Sequence, residues 1–79
     1  MAWSDGPTQA QIGAWANLVK WELPVDLINE ACKFIEKSMT RKEISEELGR
    51  ARELYMKRKL TKDSCFNSPV WDKFKAKQW

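Results

Sequence analysis

Five aromatic residues in the second half of the chain, Tyr55, Phe66, Trp71, Phe74 and Trp79, are interleaved with Lys57, Arg58, Lys59, Lys62, Lys73, Lys75 and Lys77. Every nucleotide offers a phosphate to a cation and a π-face to a ring, and single-strand binders combine a basic track with stacking aromatics for that reason. Trp71 and Phe74 have a second use open to them, which is to close the core of a small domain. Trp79, at the terminus, and Trp3 are the aromatic residues expected to meet a protein partner.

The stretch MTRKEISEELGRARELYMKRKL, from Met39 to Leu60, carries a second possible chemistry. Split at Gly49 it has the spacing of a DNA-reading helix-turn-helix, whose second helix would bring Arg50, Arg52, Lys57 and Arg58 to base edges or phosphates. That motif usually buries an aliphatic residue after the turn. Arg50 stands there instead, and burying an unpaired guanidinium is expensive. A continuous helix keeps Arg50 on the solvent side and costs only about 1 kcal/mol for Gly49, so it is the favoured reading.

Catalytic chemistry is poorly provided for. The chain has no histidine, hence neither the commonest general base nor the commonest zinc nitrogen ligand. Its glycines, Gly6, Gly13 and Gly49, are too scattered for a phosphate loop. Glu43, Glu46 and Glu47 cluster at a helix start, where solvated carboxylates favour the dipole. Cys32 and Cys65 stand alone and are expected to be free thiols, with Cys32 a small semi-buried hydrophobe. The expectation is a non-enzymatic protein with no metal and no cofactor.

Charge points toward binding. Residues 1–49 hold five Lys/Arg and eight Asp/Glu, a net −3, whereas residues 50–79 hold nine Lys/Arg and three acids, a net +6. Such asymmetry suits a nucleic acid or an acidic protein surface. A lysine-rich run can also serve solubility alone. The candidate phosphate-binding residues are Arg50, Arg52, Lys57, Arg58, Lys59 and Lys62, extended by Lys73, Lys75 and Lys77. A protein-protein adaptor or inhibitor using exposed aromatic residues is the alternative, and self-association into a homo-oligomer is a variant of it.

These residues must be positioned by helices. Hydrophobic residues at 43% and charged residues at 32% describe a globular chain, and 79 residues allow one domain, preceded by a flexible lead over residues 1–6. Thr8 and Gln11 form a capping box that starts a first helix over about 8–22, with Ile12, Trp15, Ala16 and Val19 on one face and Gly13 a point where another element could approach closely. Pro24 and Asp26 start a second helix over about 24–37, with an apolar set of Leu27, Ile28, Ala31, Phe34 and Ile35. Thr40 and Glu43 cap a third over about 40–59, where Met39 can staple onto Ile44 and Leu48, Ala51, Leu54 and Tyr55 follow at helical spacing. Glu46 to Arg50 and Glu53 to Lys57 are helix-supporting pairs. After a loop, Ser68 and Pro69 open a short helix over about 69–77. No β-type alternation occurs, so the fold class is all-α. No window reaches the roughly 18 apolar residues of a membrane span, and MAWSDGPTQA lacks the features of a secretory signal. A soluble cytoplasmic protein without membrane contact is expected.

PTQAQIGAWANL and MTRKEISEEL, separated by the Leu-Pro-containing second helix, together resemble a helical segment of the form T-x-x-Q, then L, then a (T/S)-(R/K)-K-E-x-S box. Such segments occur near the ends of phage single-strand-annealing recombination proteins and of some bacterial topoisomerases. The resemblance covers residues 7–56. It implies a small helical accessory domain near DNA metabolism, of phage origin, and supplies no catalytic residues.

Overall fold

Thr8 opens the first helix, α1 (Gln9–Val19), through the expected capping box: its hydroxyl accepts from the Gln11 N–H while its own N–H donates to the Gln11 side chain. The structure is a computed structural model that describes residues 6–78, so the expected lead up to Asp5 lies outside the described residues, as do Trp3 and Trp79, the residues expected to meet a protein partner. α1 stops three residues short of the expected boundary. The N–H groups of Glu22 and Leu23 both turn back to the Val19 carbonyl, and Pro24, extended at φ −61° and ψ 146°, caps the next helix rather than joining it. Residues 20–23 thus form a turn that swings Trp21 off the apolar stripe of α1.

α2 (Val25–Ser38) buries Ile28, Ala31 and Ile35, with Leu27, Phe34 and Cys32 half-buried beside them. Met39 leaves it in extended conformation and is buried, as is Ile44. Thr40 and Glu43 then form the second capping box, and α3 (Arg41–Met56) runs without a break through Gly49. This removes the helix-turn-helix reading. A Cβ at Gly49 or at Gly13 would meet nothing within 4 Å, so neither glycine serves a close approach by another element of the fold.

α3 ends in a Schellman motif. The Lys59 N–H donates to the Leu54 carbonyl and the Arg58 N–H to the Tyr55 carbonyl, which requires Arg58 to adopt a left-handed backbone at φ 56°. The chain then turns sharply at Lys59, ending the helix earlier than expected, and Leu60 enters the core. A fourth helix, α4 (Lys62–Cys65), occupies what reads in the sequence as loop; Thr61 and Ser64 cap it reciprocally. Pro69–Trp71 form one 3-10 turn that leads directly into α5 (Asp72–Gln78).

The five helices form a small all-α bundle, with no strand among the described residues. α1 packs against α3 and α2. At their starts, the Gln11 amide lies 3.5 Å from the Arg41 carbonyl; at their far ends, Glu22 and Tyr55 line one hollow. α1 and α3 therefore run parallel and pack directly on each other, with α2 joining the end of one to the start of the other and packing on α1. The core is aromatic. Trp15, Phe66 and Trp71 are fully buried and Phe34 and Phe74 complete the cluster, with centroid separations from 4.7 Å (Phe66–Trp71, edge-on) to 6.1 Å (Trp15–Phe66). Such geometries suit the ring quadrupoles and hold a seven-residue helix, marginal alone, against the bundle. The radius of gyration, 11.6 Å, is what compact packing of this chain length implies. No helix among the described residues is long and apolar enough to cross a membrane.

Candidate nucleic-acid interface

Glu47 and Arg50 decide what part of α3 is available. Glu47 fills the core-facing position between Ile44 and Ala51, where its carboxylate accepts from the Trp71 indole N–H at 2.7 Å and from the Arg50 guanidinium at 2.9 Å. Arg50 also donates to the carbonyls of Ser64 and Cys65 at 3.0 and 2.8 Å. Those carbonyls end α4 without helical partners, and a cation there is favoured by the helix dipole as well. Arg50 is a strap from α3 to α4. It does not point to solvent as its spacing suggested, and it pairs with Glu47 at three residues rather than with Glu46 at four.

The remaining basic candidates fall into two groups. Arg52, Lys57, Arg58, Lys59 and Lys62 are exposed along the last turn of α3 and the link to α4. Glu53 is their only acid between residues 52 and 62; it accepts from Lys57 at 2.7 Å, and this hydrogen bond and charge hold its carboxyl below the usual range. Lys73, Lys75 and Lys77 lie on α5 instead, beside α2. Lys77 shares a hollow with Lys33, Lys37, Phe34 and Phe74, while Lys73 lies near Ser38. Lys75 is half-buried. Since α2 ends where α3 begins, Lys73 lies near the end of the bundle remote from Lys57–Lys62. The nine candidates do not form one continuous patch.

The aromatic half of the pattern is redistributed too. Phe66, Trp71 and Phe74 are core residues and cannot meet a base in the folded chain. Tyr55 remains accessible at 48% exposure, and two residues absent from the sequence-derived set join it, Trp21 at 77% and Met56 at 76%. Trp21 had a legible signal: two residues past Val19, it falls off the apolar face of the first helix. Lys20 places its ammonium 5.2 Å from the Trp21 ring, a cation–π contact on one face of the indole. At this end of the bundle a hollow of about 480 Å3 opens between Glu22, Tyr55, Met56, Arg58 and Leu60.

Both thiols are free, and burial raises the pKa of each, that of Cys65 to about 12. Protonated thiols of this kind are poor nucleophiles and poor ligands at neutral pH. Among the described residues no three His, Cys, Asp or Glu side chains are grouped to hold a metal ion.

No known protein family, curated protein or solved structure matches this chain.

Proposed function

We propose that this protein is a small non-enzymatic accessory factor that binds nucleic acid, or a nucleoprotein complex, through the basic end of α3 and the link to α4. The observation that carries this reading is the concentration of Arg52, Lys57, Arg58, Lys59 and Lys62, which outnumber the neighbouring acids Glu53, Asp63 and Glu22, beside an exposed tyrosine. Arg58 adds weight to it. An arginine in left-handed conformation is disfavoured where glycine would serve, and such outliers gather at functional positions. Lys73, Lys75 and Lys77 provide a second, separate contact surface. The resemblance to segments of phage recombination proteins agrees with a role in DNA metabolism, inside a cytoplasm where both thiols stay reduced.

Titration against single- and double-stranded oligonucleotides tests the reading. Affinity should fall steeply as salt rises, because phosphate contacts release counterions. Absence of binding to either form at low salt would rule it out. The exposed Trp21 and Met56 favour one rival, a protein-binding adaptor, because buried tryptophan anchors dominate many interfaces. A partner retained from lysate after nuclease treatment, with no oligonucleotide binding, would favour the adaptor.

A further inference from the structure

Among the described residues, the large hydrophobic side chains left exposed are Trp21, Val25, Tyr55 and Met56. They come from two segments, the turn between α1 and α2 with the first residue of α2 (Trp21 and Val25) and the last turn of α3 (Tyr55 and Met56), and of the four Tyr55 and Met56 line the hollow itself. Parallel packing of α1 and α3 brings those segments to one end of the bundle, where the hollow bounded by Glu22, Tyr55, Met56, Arg58 and Leu60 lies. Isolated exposed hydrophobes need no explanation, but a set gathered beside a cleft marks a binding surface. The volume, about 480 Å3, falls within the range of small-molecule clefts.

We infer that this hollow receives an unpaired base of single-stranded nucleic acid, with Tyr55 on its wall and Trp21, next to the lining residue Glu22 in the chain, stacking a neighbouring base outside it, and with Arg52, Lys57, Arg58, Lys59 and Lys62 holding the flanking phosphates. The inference rests on the nucleic-acid reading above and narrows it to one form of the polymer.

Charge complementarity selects the occupant. The surrounding segment carries five basic residues, Arg52, Lys57, Arg58, Lys59 and Lys62, against the acids Glu53, Asp63 and Glu22, so the rim favours an anionic partner. Inside the hollow the wall is different: Tyr55, Met56 and Leu60 are apolar or aromatic, and the Glu22 carboxylate repels phosphate while it can accept from an exocyclic amine. A polyanion whose charge stays on the rim while a flat aromatic group with hydrogen-bonding edges enters the hollow fits both conditions. An unpaired nucleotide is such a group. A duplex keeps its bases stacked and offers phosphates and groove edges but no free base face, so it can use the rim but not the hollow. Arg58 joins the two regions, since its left-handed backbone carries a basic side chain onto the wall of the hollow. Lys20 covers one face of Trp21, and the other is the face offered to a base.

The test compares a strand of about fifteen mixed deoxyadenosine and deoxycytidine nucleotides, whose bases carry exocyclic amines, with the same strand in a duplex. Fluorescence anisotropy is read over a series of salt concentrations for wild type, Trp21→Ala, Tyr55→Ala and Trp21→Phe, the variants being compared at the lowest one, with circular dichroism confirming that each folds. Wild type should prefer the single strand. Trp21→Ala and Tyr55→Ala should each weaken single-strand binding about tenfold, leave duplex binding unchanged and leave the salt slope unchanged, and Trp21→Phe should recover most of the loss. Wild-type affinity for both forms with no effect of either alanine variant, or with equal losses on both forms, would overturn the stacking site and leave the nucleic-acid reading standing. Failure of wild type to bind either form at low salt would overturn both.

Discussion

Arg58 holds a backbone conformation that costs an L-residue roughly 1 kcal/mol or more, at a position where helices commonly end in glycine. Arg58→Gly should therefore raise the urea midpoint, by about 1 kcal/mol of stability, while weakening nucleic-acid binding by one phosphate contact. A gain in stability without loss of affinity would separate the strain from the function. Cys65 gives a pH prediction of definite sign. Burial pushes its thiol up to about 12 in the folded chain, from an ordinary value of 9.0, so the unfolded chain releases the proton first as pH rises. The stabilisation is fully present below pH 9 and is lost between about 9 and 12, up to about 4 kcal/mol, with Cys65→Ala flattening this part of the profile. Urea denaturation at a series of alkaline pH values checks it. At this scale the sequence was legible for Trp71 and Phe74, whose core use followed from the small size of the domain. It was not legible for Arg50 and Glu47. Their partners, Ser64, Cys65 and Trp71, come from a segment that reads as loop or separate helix, and no local spacing announces a contact made by tertiary folding.

The elements were mostly readable because capping boxes are local chemistry. Thr8 with Gln11 and Thr40 with Glu43 start α1 and α3 where expected. Helix ends were less readable: α1 yields to a turn before Pro24, and α3 yields to the left-handed Arg58, a residue that gives no glycine signal. α4 went unseen because it is four residues long and carries no periodic stripe, although Thr61 and Ser64 have capping spacing. Gly49 is the sharpest test of the long third helix. It sits exposed in unbroken helix with room for a Cβ, so Gly49→Ala should stabilise the protein by about 0.5–1 kcal/mol, read as a higher urea midpoint with unchanged helicity. Destabilisation would mean that the glycine performs a turn there after all.

Across the whole molecule, the −3/+6 division of the sequence does not become one acidic and one basic hemisphere. The core consumes Arg50, and the helices send Lys73 and Lys77 to α2 while Lys57–Lys62 gather at the far end of α3. Linear charge counts could show the excess but not its partition, which depends on the parallel packing of α1 and α3 and the return of the C-terminal segment. Lys57, Arg58, Lys59 and Lys62 should do most of the binding. The most direct measurement is the dependence of affinity for a single-stranded oligonucleotide on salt concentration, for wild type and for Lys57, Arg58, Lys59 and Lys62 all changed to Gln. Wild type should show a steep linear fall of log affinity with log salt, and the four-fold variant should lose roughly 3 from the slope. An unchanged slope, or no binding by wild type at low salt, would contradict the account.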